Sequence, residues 1–400
     1  MTDLRRGPLV GVTVLDLTRV LSGPYCTMLL ADMGARVIKV EQPGKGDDTR
    51  AWGPPFLDGE SAYFLSINRN KESVTLDFKP PEGRLVLERL VAAADVLVEN
   101  FRPGTLDRVG FGYEQLAARF PRLVYCSVSG FGHTGPRRDR AGYDAVIQAE
   151  GGLMSITGGA DGPPYRLGVA IADIVAGMFA AQGISLALFH RERAGRGQHV
   201  DVGMLDSVAA LLTYQASIFF ATGSSPTRMG NRHPTIVPYE TFPAQNGEFV
   251  LAVGNDDLWR RFCRTVDRED LATDPRFGTN QDRVGAYDEL RRILTGLFST
   301  RTREAWIELL TAAGIPCGSV REVADVLNDP HLMAREMVRE VLHPTAGAVK
   351  VLGTPVKLSG SPGRVHSSPP LLGQHTDQVL TRDLGFSPQD VERLRAQGVI

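Results

Sequence analysis

From Val12 to Ser129 strands and helices alternate at a pitch that a parallel sheet requires. Val12 to Leu17 alternates apolar residues as a strand does, Pro24 to Met33 has helical spacing, and Arg36 to Glu41 reads as a second strand, so the chain opens on a βαβ unit. A strand at Ser73 to Leu76 follows, then a helix at Pro81 to Ala94 with proline near its first turn. Ala94 to Glu99 reads as a buried strand, Tyr113 to Arg119 as a helix and Leu123 to Ser129 as a strand. Parallel strands cannot be joined by a tight turn, and helical crossovers supply the length needed. The fold class is therefore α/β, with a doubly wound, largely parallel, Rossmann-like sheet.

A chain of 400 residues exceeds what one compact core usually holds, so a second unit is expected. After a long apolar stretch at Leu167 to Phe189 come the Gly195-Arg196-Gly197 turn, a strand from His199 to Val202 and an apolar helix from Asp206 to about Ala221. Gly223 to Pro234, rich in Gly, Ser, Pro and Arg, reads as a linker. A hairpin from Tyr239 to Val253 turns at Asn246-Gly247, and helices follow at Asp257 to Val266, Gln281 to Phe298 and Arg303 to Ala313. Val349 to Leu358 resumes β character and Gln389 to Gln397 closes the chain as a helix. The expected division is a large α/β domain over 1–224, a small α+β domain over 225–330, and a C-terminal segment, 331–400, that returns to the large domain.

Composition narrows the functional classes. A hydrophobic fraction of 42% suits a soluble globular protein, and 44 basic against 46 acidic residues give no signature of a nucleic-acid partner. Cys26, Cys126, Cys263 and Cys317 lack any C-x-x-C spacing, which argues against a zinc site or a disulfide framework and for a reducing, cytoplasmic setting. No apolar run follows Met1 to Pro8, so no secretory signal is expected. Leu167 to Phe189 is long enough to cross a bilayer. It is interrupted by Asp173, Gln182 and Ser185 and holds three glycines, so it is expected to be a buried core helix with no membrane role.

Gly130-Phe131-Gly132-His133-Thr134-Gly135 matches the G-x-G-x-x-G pattern after a strand, but Pro136 and the polar run Arg137 to Arg140 stand where a dinucleotide site needs an apolar helix. Neither nicotinamide nor flavin is expected, and no metal. P-loop, H-E-x-x-H and G-x-S-x-G motifs are absent from the sequence, and the eight histidines are dispersed. Asp173 is different. It is the single ionisable residue of Gly168 to Gly177, and burying a carboxylate is costly unless something holds it or uses it. It is either the N-cap of a helix beginning near Ile174 or a nucleophile, and the two roles are compatible.

Val14-Leu15-Asp16-Leu17-Thr18-Arg19-Val20-Leu21-Ser22-Gly23-Pro24, followed by Gly34-Ala35-Arg36-Val37-Ile38-Lys39-Val40-Glu41, resembles the opening of family III CoA-transferases. Gly46 to Arg50, Asn68 to Lys71, Val98 to Gly104, Ala141 to Asp144 and Gly195 to Gln198 follow in the family's order. In wording, Thr49 to Phe56 and Ile236 to Tyr239 are most similar to members that use succinyl-CoA and dicarboxylates. The resemblance implies that Asp173 is the catalytic aspartate and that Leu21 and Ser22 offer backbone groups to the thioester. It puts Gln42, Lys79, Asn100, Phe101, Arg102 and Arg108 on the CoA nucleotide and pantetheine, with Tyr143 and Asp144 beside the reacting centre. Without it, Lys79, Arg102 and Arg108 would read as solvated surface charges. Arg19 and Leu21 stand where formyl-CoA members carry His and Gln, and Gln42 replaces an Arg.

The chemistry so implied uses CoA only as a substrate. Asp173 attacks an acyl-CoA to give a mixed anhydride, CoA thiolate converts this to aspartyl-CoA, and a second carboxylate reverses the sequence. Amides of Gly130 to Gly135, or of Leu21 and Ser22, are expected to stabilise the oxyanions. Arg19 or Arg166 is expected to pair with the distal carboxylate of a diacid. An interlocked homodimer is implied by resemblance alone. Two rivals make distinct predictions: an α-methylacyl-CoA racemase, for which Tyr143 stands where a catalytic His is needed, and a non-catalytic CoA-binding protein, in which Asp173 only caps a helix.

Overall fold

The computed structural model describes residues 7 to 400. Six parallel strands form the central sheet: β1 (Thr13–Asp16), β2 (Arg36–Glu41), β3 (Lys71–Thr75), β4 (Val96–Glu99), β5 (Val124–Ser129) and β6 (His199–Gly203). Their order across the sheet is 3-2-1-4-5-6, the doubly wound order expected. Side chains alternate between the two faces of each strand and feed two separate cores. Val14, Val37, Val96, Val98, Val124 and Cys126 point into one core, with helices α1 (Ser22–Asp32) and, further along the chain, Ile171–Ala194. Leu15, Ile38, Val74, Leu97 and Tyr125 point into the other, which α2 (Pro81–Ala92), α3 (Tyr113–Arg119) and the last helix of the chain, Pro388–Ala396, cover.

A short helix, α4 (Asp144–Glu150), follows β5, and the long apolar stretch becomes α5 (Ile171–Ala194). α5 is long and apolar enough to cross a membrane, yet half of its most apolar window is buried. Arg191 in its last turn is buried as well and pairs with Asp95 at 3.0 Å. The expected helix from Asp206 is two helices, α6 (Met204–Leu211) and α7 (Thr213–Thr222), bent by 73° where Thr213 takes a positive φ of 38°.

The chain divides into two compact units. The larger runs to Leu153 and takes in Arg166–Phe220 and Pro330–Ile400; the smaller joins Met154–Tyr165 to Ala221–Asp329. In the smaller unit a sheet of β7 (Tyr239–Ala244), β8 (Gly247–Ala252) and β9 (Cys317–Ser319) packs its apolar face on an aromatic core of Trp259, Phe262, Phe298 and Trp306. Its expected helix from Gln281 is interrupted at Ala286, giving Asn280–Gly285 and Tyr287–Phe298. In the larger unit Val338–His343 and Gly347–Leu352 form a hairpin, so the β character expected to Leu358 ends at Leu352.

Candidate active site

The sheet order reverses between β1 and β4, and in doubly wound sheets ligands bind beyond the carboxyl ends of the strands at such a point. A cleft of about 880 Å³ lies there. Arg19, Val20 and Ser22 come to it from the end of β1, Asn100, Phe101 and Arg102 from the end of β4, Val128 to Gly130 from β5 and Met204 from β6. Gly142, Tyr143 and Asp173 complete the wall. Gly130 and Gly142 are required by their mutual approach, since a Cβ on either would stand within 2.8 Å of the other's backbone.

Asp173 is the third residue of α5, inside the first turn, and α5 is preceded by Ala170 at the cap position. The N-cap reading is therefore corrected: Asp144 does that work, its Oδ1 accepting from the Ala172 amide at 2.9 Å while Oδ2 accepts from Gln148 at 2.7 Å. Ser22, the first residue of α1, lines the same cleft, and its hydroxyl and backbone amide favour the ionised form of Asp173. Two helix N-termini thus converge on one carboxylate, and free amides there favour negative charge. Burial and the charge of Asp144 nevertheless outweigh these donations and push Asp173 up to about 6. Contact between α1 and α5 is close because of Gly177, where a Cβ would fall 2.6 Å from the Ser22 carbonyl oxygen.

A second cleft, of about 790 Å³, adjoins at Arg19 and Phe101 and is lined by Gln42, Lys45, Phe78 and Lys79. Gln42, Lys79 and Phe101 of the expected nucleotide residues thus come together, joined by Lys45, which the sequence reading missed. Asn100 holds the Arg19 backbone on both sides, accepting from its amide at 2.9 Å and donating to its carbonyl at 2.7 Å.

Other expected residues lie elsewhere. Leu21 is buried against Met28 and Ile67, with Ile174 packed beside them, so its side chain lines neither cleft. Arg108 is exposed and donates to Thr105, and Arg166 is exposed with a single hydrogen bond to the Leu167 carbonyl; neither lines a cleft. Asp144 acts from behind the wall. Within the glycine loop, the His133 amide is already engaged by Asp201, which leaves Gly130 as the loop's contribution to the cleft.

Three arginines line the cleft that holds Asp173. Arg19 faces Asp48 at 3.6 Å and lies over the Phe101 ring, and Arg140 is fixed to Glu150 at 2.6 Å. The Arg102 guanidinium makes no ion pair among the described residues. Two dispersed histidines also meet in the fold: His133 and His199 stand 5.5 Å apart, with Ser127 hydrogen-bonded to His199 and buried Glu99 raised by burial to about 7.

The CoA-transferase family III model matches residues 9–376. The chain is 42% identical to the mouse (Mus musculus) succinyl-CoA:glutarate CoA-transferase, covering 98% of this chain and 90% of that protein. It is 44% identical to the succinate–glutarate CoA-transferase of Agrobacterium fabrum, covering 95% and 97%. A crystal structure of a CAIB/BAIF family protein from Brucella suis superposes with a TM-score of 0.83 at 42% identity, covering 95% of this chain and all of that one. With the matched family model, these relatives and the parallel sheet in agreement, the chain belongs to CoA-transferase family III and is a CoA-transferase, with CoA thioesters as substrates.

Proposed function

We propose that this enzyme moves CoA from succinyl-CoA to a dicarboxylate such as glutarate through a covalent aspartyl-CoA on Asp173. The observation that carries the reading is the position of Asp173: a carboxylate on the wall of an open cleft, in the first turn of α5 and beside Ser22 at the start of α1. The names of relatives along nearly the whole chain support the substrates. Ionised Asp173 attacks the thioester carbonyl, the C–S bond breaks, and CoA leaves as thiolate, giving a mixed anhydride. Thiolate attack on the aspartyl carbonyl then releases succinate and leaves Asp173 as the CoA thioester. The acceptor carboxylate attacks that thioester, thiolate leaves again, and its attack on the acceptor carbonyl restores Asp173. The Ser22 amide and the positive end of α1 favour the charge on each tetrahedral oxygen.

The lysine-bearing cleft suits the phosphates of CoA, with Lys45, Lys79 and Gln42 around them, while the thioester reaches past Phe101 toward Asp173. Arg102, the uncommitted cation of the cleft that holds Asp173, takes the remote carboxylate of the diacid in place of Arg166. The enzyme works as an interlocked homodimer in the cytoplasm. Exposed Met178, Leu186 and Phe189 of α5 and Phe219 and Phe220 of α7 support the dimer, and unpaired cysteines the compartment. Asp173→Ala tests the chemistry: exchange between succinyl-CoA and glutarate is expected to fall by more than about 10³-fold with CoA binding retained. Exchange at the wild-type rate would overturn the reading.

A further inference from the structure

Val20 has φ 69°, a left-handed conformation that a β-branched residue adopts only when its surroundings enforce it. The enforcing groups are buried. The Val20 amide donates to Asp47 Oδ1 at 3.2 Å, and Asp47 Oδ2 accepts from Lys39 Nζ at 2.9 Å, with both side chains fully shielded from solvent. Lys39 also donates to the Thr18 carbonyl at 2.9 Å, and Thr18 is tied through its own amide and hydroxyl to Asp16 Oδ1. Glu41, itself paired with Arg50 at 2.7 Å, accepts from the Asp47 amide at 2.9 Å. With Asn100 on Arg19, three consecutive residues are pinned by four different side chains. The segment so fixed leads directly into Ser22, which lines the cleft wall with Asp173 where α1 packs closely on α5 at Gly177.

We propose that Asp47 is a positioning residue of CoA exchange: locked by Lys39, its carboxylate holds Val20 in the left-handed conformation that aims the start of α1 at Asp173. The inference rests on the reading of Asp173 as nucleophile. If Val20 relaxes to a negative φ, the Leu21 peptide turns and the Ser22 amide leaves the carboxylate. The fold does not need this strain, because the Asp16–Lys71 pair at 3.1 Å and the sheet register hold β1 without it.

The test is the exchange of CoA between succinyl-CoA and glutarate in four variants. Val20→Pro keeps the ion pair but can neither reach φ 69° nor donate. Its kcat is expected to drop about 100-fold, with KM for succinyl-CoA and the melting temperature close to wild type, as a misplaced catalytic group would give. Asp47→Asn is expected to lose kcat as well, and adding Val20→Gly to recover about tenfold, because glycine reaches the left-handed region unaided. A Val20→Pro kcat within about threefold of wild type, against the 100-fold loss expected for misplacement, would overturn the inference, and a double variant no faster than Asp47→Asn would overturn the part given to Asp47. Should Asp47→Asn not fold, Val20→Pro decides alone. Asp173→Ala, run beside them, separates the two claims. Wild-type exchange there removes the nucleophile itself, whereas a dead Asp173→Ala with a fully active Val20→Pro removes only this inference.

Discussion

Burial and the Asp144 charge favour the protonated form of Asp173, which therefore ionises near pH 6 in the folded protein instead of at its ordinary 3.8. A carboxylate whose folded value is raised destabilises the fold where it is ionised, above about pH 6, and has no effect below the unfolded value. Asp173→Asn is isosteric and uncharged, so it is expected to raise stability by about 1–3 kcal/mol at pH 8 and by almost nothing at pH 3.5. Urea melts at the two pH values check this. If the proposed nucleophile acts in its ionised form, kcat/KM should fall as pH drops through about 6. Sequence alone singled out Asp173, one carboxylate in an apolar run, and left open whether it caps a helix or acts as a nucleophile. The same reasoning misassigned the cap, because Asp144 lies 28 residues earlier in sequence than the amide it caps. Val20 and Asp47 stood in the sequence only as members of the motifs that carry the resemblance, with no sign of their coupling: strain and a long-range hydrogen bond are properties of the folded backbone. Arg102 was legible only as a charge, and its freedom becomes visible once Arg19 and Arg140 are seen to be engaged. Arg102→Ala is expected to raise KM for glutarate about tenfold or more and to raise KM for succinyl-CoA as well, since its succinyl group also ends in a free carboxylate, while an acyl-CoA without one is spared.

Between elements, the decisive contact is α1 against α5. Gly177 lies one turn beyond Asp173 on the same helix, so its missing side chain lets the Ser22 backbone approach the face that carries Asp173. Gly177→Ala would place a methyl 2.6 Å from the Ser22 oxygen and force the helices apart. Although alanine favours a helix interior, the net effect is expected to be a loss of about 1–3 kcal/mol from overpacking, with kcat reduced about tenfold or more. Thermal melting and steady-state exchange read the two losses separately. At this scale the sheet was the most legible feature, because each parallel strand announces itself by a helix before the next. The hairpin of Val338–His343 with Gly347–Leu352 was harder: Val338-Arg339-Glu340-Val341-Leu342-His343 breaks strict alternation, and only pairing with its partner identifies it. The break at Thr213 was hidden for a similar reason, since α6 and α7 are both apolar and the bend interrupts no pattern in the sequence.

For the whole molecule, apolar side chains on α5 and α7 remain uncovered in a single chain, among them Leu186 at 61% and Phe220 at 80% exposure. Such a face is expected to be buried in a second copy of the chain. Sedimentation should give the mass of a dimer, and Leu186→Glu with Phe220→Glu should shift it toward monomer; a wild-type monomer at micromolar concentration would contradict the assembly. The two clefts on the larger unit, one lysine-lined and one holding Asp173, meet at Arg19 and Phe101. The central claim is that Asp173 itself carries CoA during turnover, and intact-peptide mass spectrometry after brief incubation with succinyl-CoA and no acceptor tests it most directly. The expected result is a CoA adduct on the peptide containing Asp173, discharged by glutarate. An enzyme that exchanges CoA at full rate with that peptide unmodified throughout would contradict the account.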